Sequence, residues 1–352
     1  MKALSEIDKN FIPATLGNRE YLFRDCRQEP FRIYGLILPN EEDPHFMRLP
    51  QKLADQVNVQ VKELASCTAG GRIRFRTDSS AIAIRVKMHN VYRGDHFPIT
   101  GSAGLDLYAD GIYRGTFRPP FEITDGFESR VDLKEKKMRE ILIHMPLYSG
   151  VISQEIGVEP GSELLPGDEY RYTNPVLYYG SSITQGACAS RPGNCYQNII
   201  SRKLDCDHVN LGFSSGALAE DVMIDYMTSL PMSIFVMDYD HNAWDPPHLE
   251  KTHEVFFKTI RAAHPDMPIL IISRPDYDRD PKLAEACFAI IKRTYDNAVA
   301  SGDAHVRLIN GRTLFDETDR ELCTVDGSHP NDLGFLRIAD HVTAALKDMM
   351  ER

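Results

Sequence analysis

The sequence predicts an α/β protein, in which an N-terminal β-sandwich, jelly-roll-like domain at residues 1–172 precedes a parallel-sheet domain at residues 173–352. Two observations favour this fold class. Short apolar runs with a period of two fill the first half, whereas strand-like and helix-like runs alternate in the second half. A turn-rich stretch at 161–175 separates the halves, and 352 residues suffice for two domains of about 150 residues each.

The first half has the pattern of half-buried strands. In AIAIRVKM, residues 81–88, every second side chain from Ile82 to Met88 is apolar, while Arg85 and Lys87 fall on the opposite face. Asp-Gly and Pro-Pro turn signals separate this run from similar ones, which favours a sandwich or a jelly roll. The further predicted strands lie at 103–108, 112–117, 128–133 and 140–147.

The second half alternates between strands and helices, which is typical of a parallel sheet covered by helices on both faces. In such sheets the functional site lies at the carboxyl ends of the strands. The predicted strands lie at 176–179, 209–211, 233–237, 268–272 and 306–309. The predicted helices lie at 194–204, 249–263, 281–300 and 332–347.

Composition excludes several classes of function. The chain has 40 basic and 51 acidic residues, a net charge of −11, and no block of lysine or arginine, so neither nucleic acid nor an anionic membrane is an expected partner. No apolar run approaches the 18 residues of a membrane span. The N-terminus lacks the apolar region of a signal peptide, so we expect a cytoplasmic protein unless a leader has been removed.

Seven cysteines without a CxxC motif indicate a reducing compartment. Cys188 and Cys195 stand in one loop, where a disulfide is feasible if their Cα atoms lie within about 7 Å. In a reducing cell we expect free thiols instead.

Two segments contain the residues of a nucleophile and its base. GSSITQG at 180–186 follows a strand, and a serine at such a turn is exposed beside backbone N–H groups. In DGSHP at 326–330, Asp326 can orient the imidazole of His329 and leave its other nitrogen free as a base. The simpler interpretations are a small polar turn and an ordinary surface loop.

Two further segments offer hydrogen-bond donors at strand ends. DYDHN at 238–242 places Asn242 after a buried-type strand, where a side-chain amide can donate to an oxyanion. NLGFSSG at 210–216 follows another strand and can supply a backbone N–H. The simpler interpretation of both is a chain turn. The acidic and histidine residues around 238–248 match no zinc spacing, so we predict no metal site.

Together, in this order, the four segments resemble the SGNH (GDSL-type) hydrolase superfamily. GSSITQG is similar to its serine block G-D-S-[IL]-T-x-G, NLGFSSG to its glycine block, DYDHN to its asparagine block, and DGSHP to its D-x-x-H-P block. GLDLY at 104–108 resembles the GxDLY motif of the branch with an N-terminal β-domain. The resemblance covers most of the chain and implies a flavodoxin-like, three-layer SGNH hydrolase domain behind a β-sandwich.

The resemblance also implies a catalytic mechanism without metal or cofactor. Ser182 would be the nucleophile, His329 the general base and Asp326 the residue that orients the imidazole. A serine hydroxyl is a weak nucleophile at neutral pH and needs such a base. The oxyanion hole would consist of the N–H of Ser182, an N–H of Ser215 or Gly216, and the side chain of Asn242.

The sequence departs from the family pattern at three places. Ser181 stands where the family has aspartate, which removes a charge beside the nucleophile. Ser215 aligns with the oxyanion glycine, and Gly216 follows it, so the identity of the backbone donor is open. The usual G-x-N-D becomes DHNA at 240–243, which keeps Asn242.

Two residues near these blocks are candidate substrate contacts. Trp244, the only tryptophan, would floor an acyl or sugar pocket, or else pack in the core. Arg191 would contact a substrate hydroxyl or carboxylate, or else pair with a surface acid. The resemblance implies an acetylesterase acting on plant polysaccharides or their oligosaccharides, with the β-domain shaping the site or joining subunits of a homo-oligomer. The alternatives are a lipase or thioesterase and a non-catalytic carbohydrate-binding protein.

Overall fold

The computed structural model describes residues 12–40 and 44–351, which form two compact units. Of these residues, the first unit comprises 12–40, 44–48, 66–169 and 190–193, and the second comprises 49–65, 170–189 and 194–351. Residues 1–11, in which we predict no signal peptide, lie outside the described residues. In the described part of the chain, no helix has the length and apolar character needed to cross a bilayer.

The first unit consists of two antiparallel sheets. Its strands are β1 (Ile12–Leu16), β2 (Arg19–Asp25), β3 (Arg32–Tyr34), β4 (Arg72–Thr77), β5 (Ala81–His89), β6 (Leu105–Ala109), β7 (Ile112–Phe117), β8 (Gly126–Asp132), β9 (Arg139–His144), β10 (Gly150–Val158) and β11 (Leu164–Pro166). One sheet has the order β1-β2-β10-β5-β8. The other has the order β11-β4-β9-β6-β7, with β3 paired to β4.

Both antiparallel sheets contribute to one hydrophobic core. Ile82 and Ile84 of β5 belong to the same buried cluster as Ile141 and Ile143 of β9. The period of two in AIAIRVKM has its predicted meaning, because Lys87 is exposed while the apolar positions are buried. The finer jelly-roll topology stays a prediction.

The second unit is built around a parallel sheet, as predicted. Its strands, in the order β13-β12-β14-β15-β16, are β12 (Tyr172–Gly180), β13 (Cys206–Gly212), β14 (Ile234–Asp238), β15 (Ile269–Ile272) and β16 (Val306–Ile309). Its helices are α1 (Gln51–Val57), α2 (Val59–Leu64), α3 (Ser182–Gln185), α4 (Tyr196–Leu204), α5 (Asp221–Thr228), α6 (Pro246–Ala263), α7 (Pro281–Ala300) and α8 (Asp332–Met350). All strand pairs of this sheet are parallel, so their carboxyl ends meet at one edge.

The units differ from the predicted domains 1–172 and 173–352 by two short exchanges and by a boundary that lies after residue 169 instead of 172. Residues 49–65, which carry α1 and α2, belong to the second unit. There Asn58 accepts a hydrogen bond from Val61 N as the cap of α2, and its amide donates to Gly216 O at 2.9 Å. Residues 190–193 belong to the first unit, where they bind the buried carboxylate of Asp106.

All seven cysteines are free thiols in the structure, including Cys188 and Cys195. Burial raises the pKa of Cys188 to about 12, and the nearby carboxylate of Asp326 adds to this effect. The thiol of Cys188 is therefore neutral at physiological pH, which makes it a poor nucleophile.

Candidate active site

Glycines bring the ends of two strands close to the short helix α3. A Cβ at Gly180 would lie 2.1 Å from Thr184 Oγ1, and a Cβ at Gly212 would lie 2.3 Å from Gln185 N. Only glycine permits such an approach. Ser181 caps α3, since its hydroxyl accepts a hydrogen bond from Ile183 N at 3.2 Å. Ser182, the first residue of α3, is thereby fixed at the carboxyl edge of the sheet.

Ser182, His329 and Asp326 form a continuous hydrogen-bonded line. Ser182 Oγ lies 3.0 Å from His329 Nε2, and His329 Nδ1 lies 2.7 Å from Asp326 Oδ2. The second carboxylate oxygen of Asp326 accepts the backbone N–H groups of Ser328 and His329. The structure thus joins two segments that are 147 residues apart in the sequence.

The charge state of Asp326 follows from its contacts. Partial burial alone would raise its pKa, but the hydrogen bonds from His329 and from the two backbone N–H groups outweigh burial and lower the pKa to about 2. The carboxylate is therefore ionised at neutral pH. It fixes the tautomer of His329 with the proton on Nδ1, which leaves Nε2 as an acceptor toward Ser182.

Asn242 connects the loops after β13 and β14. Its amide nitrogen donates to Phe213 O at 2.8 Å, and its amide oxygen accepts the N–H of Ser215 at 3.2 Å. Ser215 and Asn242, both predicted to line the oxyanion hole, are therefore in direct contact. The N–H of Gly216 donates to Phe213 O at 3.0 Å and closes a turn, so three of the predicted donors, Ser215, Gly216 and Asn242, already donate within the protein. Of the two backbone N–H groups, that of Gly216 belongs to the turn itself, whereas that of Ser215 donates to a side chain.

Ser215 has the left-handed backbone conformation, with φ at 56°. Side chains other than glycine are disfavoured there by about 1–2 kcal/mol. This strain explains why a glycine suits the position better than the serine found here.

A second hydrogen-bonded group, missed by sequence reasoning, lies behind the DGSHP loop. Ser328 is fully buried, and its hydroxyl donates to Asp276 Oδ2 at 2.9 Å. His241 Nε2 lies 2.8 Å from Ser328 Oγ. Because the single hydroxyl proton of Ser328 goes to Asp276, His241 must donate from Nε2. Arg274 completes the group with two hydrogen bonds to Asp276, at 2.7 and 2.9 Å.

The carboxylate of Asp276 is charged although it is buried. Burial would raise its pKa, but His241 and Arg274 outweigh burial and hold the pKa far below its usual range. The only signal in the sequence is a polar Ser-Arg-Pro-Asp run after β15, at the same sheet edge as the other blocks. Its spacing to Ser328 follows no fixed motif.

The asparagine block also contains two buried carboxyl groups. Burial, reinforced by Asp240, raises the pKa of Asp238 to about 8, and burial raises the pKa of Asp240 to about 6. Asp238 accepts hydrogen bonds from Thr184 Oγ1 at 3.0 Å and from the Tyr196 hydroxyl at 3.1 Å. At neutral pH Asp238 is therefore a neutral acid held under α3.

We expect Asp238→Asn to remove a pH-dependent part of the stability. Folding raises the pKa of Asp238. Its contribution to the free energy of unfolding is therefore fully present below pH about 4 and is lost as the pH rises toward 8. Asparagine keeps the acceptor oxygen but does not titrate. The measurement is the thermal midpoint of both proteins between pH 5 and pH 9. A difference between them that stays constant over this range contradicts the assignment.

Trp244 and Arg191 lie in different surroundings. Trp244 follows Asn242 in the same loop and is 65% exposed, so the alternative that it packs in the core is wrong. Arg191 belongs to the first unit, where it donates to Asp106 Oδ2 and to the Tyr108 hydroxyl, each at 2.7 Å. Its acid partner is fully buried rather than at the surface. Substrate contact by either residue stays a prediction.

Comparison with known proteins agrees with the sequence blocks. Residues 173–347 match the GDSL-like lipase/acylhydrolase family, and residues 21–164 match the GxDLY family, the N-terminus of SGNH hydrolase-type esterases. No curated protein sequence is significantly similar to the chain.

Solved structures share the fold over nearly the whole chain. A protein from Bacteroides ovatus described as a GDSL-like lipase is 26% identical, with a TM-score of 0.83 over 94% of this chain and 98% of its own. The salicylyl-acyltransferase SsfX3 of a tetracycline biosynthetic pathway is 19% identical, with a TM-score of 0.76 over 97% and 98%. A family two carbohydrate esterase from Cellvibrio japonicus is 12% identical, with a TM-score of 0.61 over 94% and 98%.

The parallel sheet, the antiparallel N-terminal unit and both family matches place the chain in one group. It belongs to the GDSL-like lipase/acylhydrolase family, as an SGNH-type hydrolase with an N-terminal GxDLY domain.

Proposed function

We propose that the protein is a serine esterase that removes short acyl groups, above all O-acetyl groups, from carbohydrates. The observation that carries the proposal is the hydrogen-bonded line from Ser182 through His329 to Asp326. This arrangement supplies a nucleophile, a base whose Nε2 faces the nucleophile, and an ionised group that orients the base.

The proposed reaction proceeds through an acyl-enzyme. Ser182 Oγ attacks the ester carbonyl while His329 Nε2 takes its proton. The imidazolium, stabilised by Asp326, then protonates the leaving sugar hydroxyl as the carbon–oxygen bond breaks. Water then attacks the acyl-enzyme while His329 Nε2 takes its proton, and the imidazolium returns this proton to Ser182 Oγ as the acyl bond breaks, which releases acetate.

The oxyanion of the tetrahedral intermediate needs fixed donors. In the proposal it receives the N–H groups of Ser182 and Ser215, and it replaces the amide oxygen of Asn242 as the acceptor of the Ser215 N–H. Asn242 then gives up its longer hydrogen bond, to Ala217 O at 3.4 Å, and directs that N–H toward the oxyanion. One such donor typically lowers the barrier by about 3–4 kcal/mol.

Two observations support a small acyl group and a sugar alcohol. Ser182 is only 4% exposed, which favours a compact acyl group such as acetyl. Trp244 is largely exposed beside the Asn242 loop, where an indole can stack on a sugar ring. The likeness to a family two carbohydrate esterase supports the same substrate class.

The test compares esters and then polymers. We expect rapid hydrolysis of p-nitrophenyl acetate and at least about tenfold slower hydrolysis of the octanoate ester, because the buried nucleophile leaves little room for a long chain. Acetate release from acetylated mannan, xylan and pectin then ranks the natural substrates. Faster cleavage of octanoate indicates a lipase or thioesterase, and no cleavage of any ester indicates a non-catalytic carbohydrate-binding protein.

Acyl transfer to an alcohol is a second candidate reaction. The likeness to the salicylyl-acyltransferase SsfX3 favours it. Both reactions share the acyl-enzyme and differ only in the acceptor. Adding a sugar alcohol to the p-nitrophenyl acetate assay distinguishes them. A transferase forms the new ester in preference to acetate, whereas an esterase releases acetate in equal amount to p-nitrophenol.

For Trp244→Ala we expect a rise of about three- to tenfold in KM for acetylated oligosaccharides with little change in kcat, since a stacking contact is worth about 0.5–1.5 kcal/mol. Trp244→Phe retains an aromatic ring and is expected to recover much of this loss. Equal KM values for wild type and Trp244→Ala contradict the role in sugar binding.

A further inference from the structure

The first unit contains an open hollow of about 600 Å³ with an unusual charge. Its lining includes four arginines and a single aspartate, although the whole chain has a net charge of −11. The arginines are Arg114, Arg118, Arg130 and Arg191. Like charges gathered in one concavity repel each other, and an anion bound there relieves that repulsion.

Only part of this positive charge is compensated within the unit. Arg191 is paired with the buried Asp106, and the lining aspartate, Asp132, is paired with Arg19 at 2.9 Å. Arg114 and Arg118 are exposed, and within residues 12–40 and 44–351 neither makes an ion pair.

Arg130 likewise has no carboxylate partner among the residues that the structure describes. Its Nη1 lies 3.4 Å from Leu16 O and 3.4 Å from Asn18 Oδ1, which are both uncharged oxygens. Three guanidinium groups of the hollow are therefore left to meet an anion, and arginine binds carboxylates with two parallel hydrogen bonds.

Arg114 stands at a break in the strand pairing. On β6, Tyr108 pairs with Tyr113 and Leu107 pairs with Gly115, so Arg114 is the extra residue of a β-bulge in the edge strand β7. Bulges redirect a side chain and recur near binding sites. Gly115 lets β7 approach β8, since a Cβ there would lie 3.0 Å from the Val131 side chain. The hollow is thus built where the edge strands of the two sheets meet.

An aromatic ring beside the arginines points to the kind of ligand. Tyr113 is 42% exposed, and the guanidinium carbon of Arg191 lies 3.9 Å from its ring centroid. Its hydroxyl lies 2.8 Å from Thr116 Oγ1, so the ring is held in place. A fixed aromatic ring next to free guanidinium groups suits a sugar ring that carries a carboxylate.

We propose that this hollow binds a uronic acid residue of the polysaccharide substrate through its carboxylate. The strongly negative chain disfavours densely charged polymers such as nucleic acid, whereas a polysaccharide with widely spaced carboxylates brings one charge to the hollow at a time. The inference rests on the proposed carbohydrate substrate and adds that the N-terminal unit selects its acidic regions.

Calorimetry measures binding of each probe to the full chain. Every protein that is titrated carries Ser182→Ala, so that no substrate is turned over. The probes are xylotetraose that carries one glucuronic acid group and neutral xylotetraose. We expect the acidic probe to bind at least about tenfold more tightly, with an affinity that falls as salt rises. The double variant Arg114→Gln/Arg118→Gln is expected to bind the acidic probe about tenfold more weakly.

A matched variant controls for net charge. Lys134→Gln/Lys137→Gln removes two positive charges from exposed positions of the same unit, outside the hollow, and is expected to leave binding unchanged. Circular dichroism checks that both double variants are folded.

Three results overturn the inference: equal affinity for the two probes, an equal loss in both double variants, or tighter binding of a DNA oligonucleotide through the same arginines. Hydrolysis of p-nitrophenyl acetate by the wild-type protein is scored separately. Hydrolysis without uronate binding refutes this inference alone, and uronate binding without hydrolysis refutes the esterase proposal alone.

Discussion

Replacing Ser182 by alanine is expected to lower kcat for p-nitrophenyl acetate by about 10⁶-fold, because removal of an activated serine abolishes the acyl-enzyme route. His329 and Asp326 remain in place in this variant, but His329 Nε2 loses the hydroxyl that lies 3.0 Å away. The residual rate comes from substrate binding and the oxyanion donors. The measurement is a steady-state rate together with the initial burst of p-nitrophenol, which the variant should lack.

Ser181→Ala is the matched control for this experiment. It removes the neighbouring hydroxyl, which caps α3 through Ile183 N rather than contacting His329. We expect it to cost about 1 kcal/mol of stability and to keep the burst. If Ser182→Ala hydrolyses the ester as fast as wild type, the serine mechanism is refuted.

Replacing Asp276 by alanine is expected to destabilise the protein by about 3–5 kcal/mol, the usual cost of breaking a buried ion pair. Asp276 has a fully buried side chain, and its loss leaves Arg274 charged and without its partner. Ser328 also loses its acceptor, so the loop that holds Asp326 and His329 loses one of the contacts that fix it. Since a misplacement of about 1 Å costs about 10²-fold in rate, kcat should fall as well.

Asp278→Ala provides a control two residues away in the same loop. Its carboxylate pairs with Arg320 but is 66% exposed, so we expect a loss of at most about 1 kcal/mol. Denaturant unfolding and kcat are compared for the two variants. Equal stability losses would show that the buried group does not support the active-site loop.

Strand and helix periods predicted most of the second unit, because its strands are apolar and its helices are long. Six strands of the first unit were not predicted, namely β1 to β4, β10 and β11, and β4 shows what a local pattern does not contain. β4 has the sequence RIRFRT, in which arginine occupies every second position, a pattern that predicts one exposed face of a strand. Arg72 and Arg74 are nevertheless buried, and Arg74 is paired with Glu140 at 3.0 Å. Such pairing is a tertiary effect that a local pattern does not contain.

In the candidate site, too, local motifs predicted some residues, whereas others are brought together only by the tertiary structure. Ser182, Asp326, His329 and Asn242 were found because each stands in a short motif at a strand end. The group formed by Asp276, Ser328 and His241 was missed, since its members come from three loops with no characteristic spacing. Gly216 was named as an alternative donor because sequence alone does not show which N–H a turn consumes.

The two exchanges between the units affect how this protein can be divided. The chain enters the second unit for residues 49–65, returns to the first, and enters the first again for residues 190–193. A fragment that starts at residue 173 would lack α1, α2 and the Asn58 contact with Gly216. It would also carry Arg191 without Asp106. The two units therefore cannot be separated by one cut in the sequence. A chimera joined to another protein at a single crossover would lack part of each unit.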